Sequence, residues 1–261
     1  IAPKGVYKNW YDSEIPTHLP DHIDKKVVLW KTSDKSTKQK KILNTLFETG
    51  TDFHILIMNV EAFSSGEGTT FAQKFLSCHK AMIAIDESTT IKTPTSNRTK
   101  NILELREFAQ YRRILTGSPV TKSPLDLFSQ CAFLDPWLLD HDSYWVFKSR
   151  YAVTKKIEVQ GRRVEIIVGY RNLGELSDMI KPFSKRVLKQ DCLDLPEKTY
   201  VKHYVELTPE QKKVYQQMKQ EAIAFLDGKM QSSATGMTQL MRLHQITCGH
   251  FTADDGTIKN L

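Results

Sequence analysis

Cysteine is sparse: Cys78, Cys131, Cys192 and Cys248 are scattered through 261 residues with no C-x-x-C spacing. That leaves no disulfide framework or zinc ribbon to expect, and reduced, intracellular thiols are the default. No apolar run approaches the ~20 residues of a membrane span, and no signal peptide opens the chain. Internal repeats and low-complexity segments are also lacking. So is G-x-x-x-x-G-K-[ST], the loop whose backbone amides and lysine cradle a triphosphate. The first residues, IAPKGV, hold no Met and read as the end of a strand entering a turn. The sequence is therefore expected to begin inside a larger protein.

What is present is 40% hydrophobic and 26% charged, enough for one or two cores. The net charge of +7 is locally gathered: Lys35, Lys38, Lys40 and Lys41; Lys155, Lys156, Arg162 and Arg163; Lys181, Lys185, Arg186 and Lys189. One such group is usually a solvated helix face. Three make a nucleic acid the leading expectation for a partner.

Up to about residue 135 the chain alternates. Apolar runs at 27–30, 53–60, 81–86 and 112–117 read as strands, and polar-periodic segments around 34–48, 68–78, 95–108 and 124–133 read as helices. That rhythm predicts an α/β fold, a parallel sheet covered by helices, with ligands at the carboxyl ends of its strands. After Asp135-Pro136 it changes to a mainly helical extension. Helices are expected at 142–152 and 172–181, a hairpin over 154–170 turning at Gln160-Gly161, and extended pieces near 185–190 and 199–207. Thr208-Pro209-Glu210-Gln211 predicts a helix start, and Val214, Met218, Ala222 and Phe225 its buried face. A last helix around 234–247 carries Leu240, Leu243 and Ile246; beside its end, His244, Cys248 and His250 lack the fourth ligand zinc prefers. The organisation expected is a domain over 1–136 and an extension over 137–261.

The stretch AMIAIDESTT ends an apolar run at two adjacent acids, Asp86 and Glu87. A solvated loop would explain them alone. A single Asp at a strand end also suits a nucleotide-bound magnesium, whose other ligands are waters and phosphates, and a Glu beside it can orient an attacking water. Thr116-Gly117-Ser118-Pro119 follows a neighbouring strand and could sense phosphate or form an ordinary turn.

The segments IAPKGVYKNW (1–10), LIMNVEAFS (56–64), AIDESTTIKTPTSNRTK (84–100) and RRILTGSPVTKSPLDLFSQCAFLDP (112–136) resemble motifs Ia, Ib, II and III of superfamily-two helicases. More narrowly they resemble the Swi/Snf-type DNA translocases, and 179–218 with 240–250 look like that family's linker. The resemblance implies a partial first RecA-like lobe followed by the family's helical extension. Asp86 would hold magnesium on ATP and Glu87 would place the hydrolytic water. Thr116, Gly117 and Ser118 would couple nucleotide state to DNA grip. Pro3, Lys4 and Asn59 match segments that touch the DNA backbone, Lys122 is a looser candidate for that surface, and the partner implied is duplex DNA.

Two departures stand out. Many relatives have Ala-His after the acids, where this chain has Ser88-Thr89, so coupling through that His would pass to Thr89 or be rearranged. The phosphate loop and the second lobe, which supplies an arginine finger in this family, are not in the sequence. The parent protein is then expected to be an ATPase and this chain alone inactive. A non-enzymatic DNA-binding module remains the alternative, as does a metal-dependent phosphatase or nuclease, which would need more convergent carboxylates. Arg162 and Arg163 near the hairpin tip could touch DNA or simply be solvated. The short insertions between motifs favour a prokaryotic or phage protein, cytoplasmic in that case.

Overall fold

A computed structural model describes the chain apart from residues 32–35, 49, 51, 160–161, 195, 197–198, 225–232, 253–256 and 261, and apart from the side chains of 159, 162, 221–224, 233–237 and 252. It forms two compact units, Ile1–Arg186 and Val187–Leu261.

In the first unit, β1 (Lys25–Leu29) pairs in parallel with β2 (Phe53–Ile57), Val27 opposite Ile55. β3 (Met82–Ile85) pairs in parallel with β4 (Tyr111–Ile114), Ile83 opposite Arg112. Ile1 and Ala2 join the two ladders. The Ala2 N–H donates to the Met58 carbonyl (3.0 Å) and the Val60 N–H to the Ala2 carbonyl (2.9 Å), a parallel bridge to Asn59. On the other side the Ile1 nitrogen donates to the Ala84 carbonyl and the Asp86 N–H to the Ile1 carbonyl, both at 2.8 Å. The strand order is therefore β1, β2, Ile1–Ala2, β3, β4, all parallel. Every carboxyl end falls on one edge.

The apolar faces of these strands pack under helices Gly66–Cys78 and Asn97–Leu105. Ala72, Phe75 and Leu76 recur at helical spacing toward Ile83, Ile85, Ile102 and Leu105. Each fully buried side chain of this kind contributes about 1.5–3 kcal/mol. Ser96 starts the second helix, its hydroxyl accepting from the Thr99 N–H at 3.3 Å. Gly68 permits a close approach. A Cβ there would lie 2.5 Å from the Ala62 carbonyl oxygen, so only glycine lets this helix come so near the turn Val60–Ser64.

A second apolar cluster joins Leu125, Phe128 and Cys131 to Phe147, Tyr151 and Leu176. It ties helix Leu127–Leu134 to Tyr144–Tyr151 and Leu173–Ile180. Residue 136 thus marks the end of the strand–helix rhythm, while the compact units divide at Arg186/Val187. Burial pushes the Cys131 thiol up to about 12, which makes it a packing residue. All four cysteines are free.

The hairpin consists of β5 (Ala152–Val159) and β6 (Arg162–Tyr170), antiparallel with Ile157 opposite Val164; Gln160 and Gly161 lie outside the described residues. Alternation along β6 would put Val164, Ile166 and Val168 on one apolar face resting on neighbouring helices; instead the register shifts between Val153 and Thr154, beside Val168, and the three side chains are 43%, 37% and 55% exposed. The base is anchored. Ala152 is buried, and Arg171 donates to the carbonyls of Ser149 and Arg150.

In the second unit helix Pro209–Ala224 begins with the expected reciprocal cap. The Gln211 N–H donates to the Thr208 hydroxyl (3.1 Å) and the Thr208 N–H to the Gln211 amide oxygen (2.9 Å). Met218 is buried; Phe225 and the side chain of Ala222 lie outside the described residues. Helix Ser233–Thr247 buries Ile246 but leaves Leu240 58% exposed. The pieces expected to be extended near 185–190 and 199–207 form no strand, and Lys189–Cys192 is a short helix. β7 (His250–Thr252) and β8 (Ile258–Asn260) pair at the end of the chain.

Candidate functional site

The shared carboxyl edge gathers most residues singled out from the sequence. Pro3 and Lys4 leave the central segment, Asn59 leaves β2, Asp86 and Glu87 leave β3, and Thr116, Gly117 and Ser118 leave β4. The Leu115 N–H donates to the Ile85 carbonyl (2.8 Å) and the Ser88 N–H to the Leu115 carbonyl (3.0 Å), so the acid turn and the Thr-Gly-Ser-Pro turn start from one ladder.

Asp86 is half-buried. Its carboxylate accepts from the Trp10 indole N–H at 2.8 Å and from the Glu87 N–H at 3.0 Å. Both donors are neutral, and among the described residues neither Asp86 nor Glu87 forms an ion pair with Lys or Arg. Among the described residues no group of three or more His, Cys, Asp and Glu could hold a metal. A single Asp at a strand end fits a magnesium held chiefly by phosphate and water.

Glu87 is exposed and left-handed, φ 49° and ψ 60°. For an L-residue this costs about 1–2 kcal/mol, and such positions concentrate at working sites. The Thr90 N–H closes the turn onto the Glu87 carbonyl at 2.9 Å, and Thr89 is half-buried within it. Trp10 reaches Asp86 from a helical stretch of Tyr7–Asn9, a π turn Trp10–Glu14 and Ile15–His18. Pro16 has no N–H for the Asp12 carbonyl, and the turn ahead of it widens, with the Ile15 N–H bonded to the Trp10 carbonyl.

Beyond β4, Thr116 accepts from the Ser118 N–H (3.2 Å) and the Ser118 hydroxyl donates to the Val120 carbonyl (3.2 Å). A Cβ on Gly117 would meet nothing within 4 Å, so the turn itself does not require glycine. The following loop wraps Asp126, whose carboxylate accepts from the N–H groups of Thr121 (3.0 Å) and Lys122 (2.9 Å) and from the Thr121 hydroxyl (2.8 Å). Burial alone would raise the Asp126 carboxyl; these donors, with the Ser123 N–H, together hold it below the usual range. Lys92, from the acid turn, reaches the same place, donating to the Thr121 hydroxyl and lying 3.9 Å from Asp126.

Gln130 has the most complete set of bonds. It is fully buried on helix Leu127–Leu134; its amide oxygen accepts from the Ser88 hydroxyl at 2.7 Å, and its NH2 donates to the carbonyls of Pro119 (2.8 Å) and Asp126 (2.7 Å). Left unmade, each bond would cost about 1–3 kcal/mol. Trp10, Lys92 and Gln130 are absent from the sequence-based set. The one signal for Gln130 is a polar pair, Ser129-Gln130, inside the apolar run LFSQCAFL.

The residues expected at the DNA surface differ in setting. Lys4 and Lys122 are exposed; Asn59 is buried, its amide donating to the Glu61 carboxylate at 3.0 Å. Arg163 is exposed on β6 opposite Glu158, and the side chain of Arg162 lies outside what is described. The side-chain contact of this hairpin arm runs to helix Tyr144–Tyr151, where Lys148 pairs with Glu165 at 3.5 Å, and not to the strand ends.

A parallel α/β sheet with acids at one strand end and a hydroxyl-rich turn at the next defines a RecA-like lobe. The SNF2-related domain profile matches residues 1–252, and the chain belongs to that family. It is 28% identical over 225 residues to the chromatin-remodeling ATPase INO80 of Arabidopsis thaliana, covering 84% of this chain and 14% of that protein. It is 25% identical to the helicase-like transcription factor of Mus musculus, covering 95% of this chain and 24% of the relative. The chain thus spans less than a quarter of the length of these relatives. Among solved structures it resembles the Sulfolobus solfataricus SWI2/SNF2 ATPase core in complex with dsDNA, with a TM-score of 0.51 and 26% identity over 98% of this chain and 48% of that one.

Proposed function

We propose that this chain is part of an ATP-dependent motor that moves on duplex DNA, an intracellular activity because both ATP and DNA are met there. The observation that carries the reading is the single parallel edge on which Asp86 and Glu87 stand beside Thr116–Ser118, with Pro3, Lys4 and Asn59 next in the sheet. Asp86 would hold the magnesium that accompanies ATP, which neutralises phosphate charge when bound. Glu87, exposed, orients the attacking water. The Trp10 N–H fixes the Asp86 carboxylate without cancelling its charge. Thr116, Gly117 and Ser118, with Thr89 on the opposite turn, pass the nucleotide state to the DNA-gripping residues. Lys4 and Lys122 meet phosphates, and the backbone of Met58 and Val60, on either side of Asn59, holds Ala2, and so Pro3 and Lys4, in place. Arg162 and Arg163 supply a further phosphate contact on the hairpin. For the chain by itself, the missing phosphate loop favours a DNA-binding module over an enzyme.

Titration of this chain with unrelated duplexes at several salt concentrations tests the DNA side. Affinity should fall linearly on a log–log scale with a slope of about −0.9 per phosphate contact, and Lys4→Ala should reduce that slope by about one equally on every sequence. Salt-independent binding, or a loss confined to one sequence, would defeat the reading.

A further inference from the structure

The acid turn and the Thr-Gly-Ser-Pro turn are bridged by one buried side chain. Gln130 receives the Ser88 hydroxyl on its amide oxygen and gives its amide hydrogens to the carbonyls of Pro119 and Asp126. The orientation of the amide is unambiguous, because two carbonyls can be satisfied only by the NH2 end. Ser88 directly follows Glu87, and Pro119 closes the neighbouring turn. Ser88 and Gln130 are both fully buried, and no water competes for their bonds. An Ala at position 88 would have no hydroxyl to give, so the link depends on Ser88.

We infer that Ser88 and Gln130 form a strut that carries nucleotide-dependent movement between the acid turn and the Thr-Gly-Ser-Pro turn. This rests on the motor reading. Movement of Glu87 on nucleotide binding pulls on Ser88, and Gln130 passes the displacement to Pro119 because all its hydrogen-bonding hydrogens are committed. Both are positioning residues: they touch neither nucleotide nor DNA. A second link across the turns runs from Lys92 to Thr121 and Asp126, with both charged side chains half-buried.

The test compares ATP turnover with and without saturating duplex in the intact protein, for Ser88→Ala, Gln130→Leu and the double variant. The severalfold ratio of stimulated to basal rate should fall to near one in each single variant with little change in KM for ATP, and the double variant should fall no further. Ser88→Ala removes one hydroxyl and no backbone contact, so it stays readable even where Gln130→Leu fails to fold. Equal losses of basal and stimulated rate, an unchanged ratio in Ser88→Ala, or effects that multiply in the double variant would overturn the strut. Glu87→Gln is assayed alongside. If it leaves turnover intact, the motor reading itself has failed; if it abolishes turnover while Ser88→Ala keeps full stimulation, only the strut has.

Discussion

Glu87→Gln in the intact protein is expected to lower DNA-stimulated ATP turnover by at least ~10²-fold, the range for losing a positioned base, and to leave duplex affinity within about twofold. The substitution is nearly isosteric and keeps a side chain at a left-handed position, so the φ of 49° and its cost are unchanged. Whatever is lost is then due to the carboxylate. Glu87→Gly separates the two effects: it relieves the backbone, and its folding stability should stay within about 1 kcal/mol of the parent while turnover is equally lost. Turnover near the parental level in Glu87→Gln would remove Glu87 from the hydrolytic step.

The chain by itself should hydrolyse ATP at less than about one thousandth of the intact protein's rate, even with saturating duplex. A group that dominates this chemistry, the glycine-rich loop with its lysine, has no match among its residues. Duplex binding should survive, because Lys4, Lys122 and Arg163 stand exposed on the described surface. Equilibrium binding of a labelled ATP analogue should likewise be weak. Turnover within tenfold of the intact protein would mean that this chain builds its nucleotide site from other residues.

Local chemistry was the legible part. Apolar runs marked β1 to β4 within a few residues, and the Thr208–Gln211 cap formed as its residue types require. Pairings between distant segments were not legible. Nothing in IAPKGV says that Ile1 and Ala2 lie between β2 and β3, because that order is set by hydrogen bonds to Met58 and Ala84. Trp10 escaped notice for the same reason: its partner Asp86 is 76 positions away. Gln130 was not legible because nothing in helix Leu127–Leu134 points to the distant Ser88 and Pro119 that close on it. The hairpin misled in the opposite way. Alternation placed Val164, Ile166 and Val168 on one face, but period alone does not say whether anything covers that face. The pieces expected to be extended near 185–190 and 199–207 had strand-like composition without a neighbouring strand, and without a ladder they remain irregular.

The central claim is that nucleotide and DNA meet on one edge of one parallel sheet. It is tested most directly by measuring the ATP turnover of the intact protein as unrelated duplex DNA is added. Turnover should rise severalfold and saturate, with a half-saturating concentration that climbs steeply with salt and climbs again in Lys4→Ala. Turnover indifferent to DNA at every salt concentration would contradict the account.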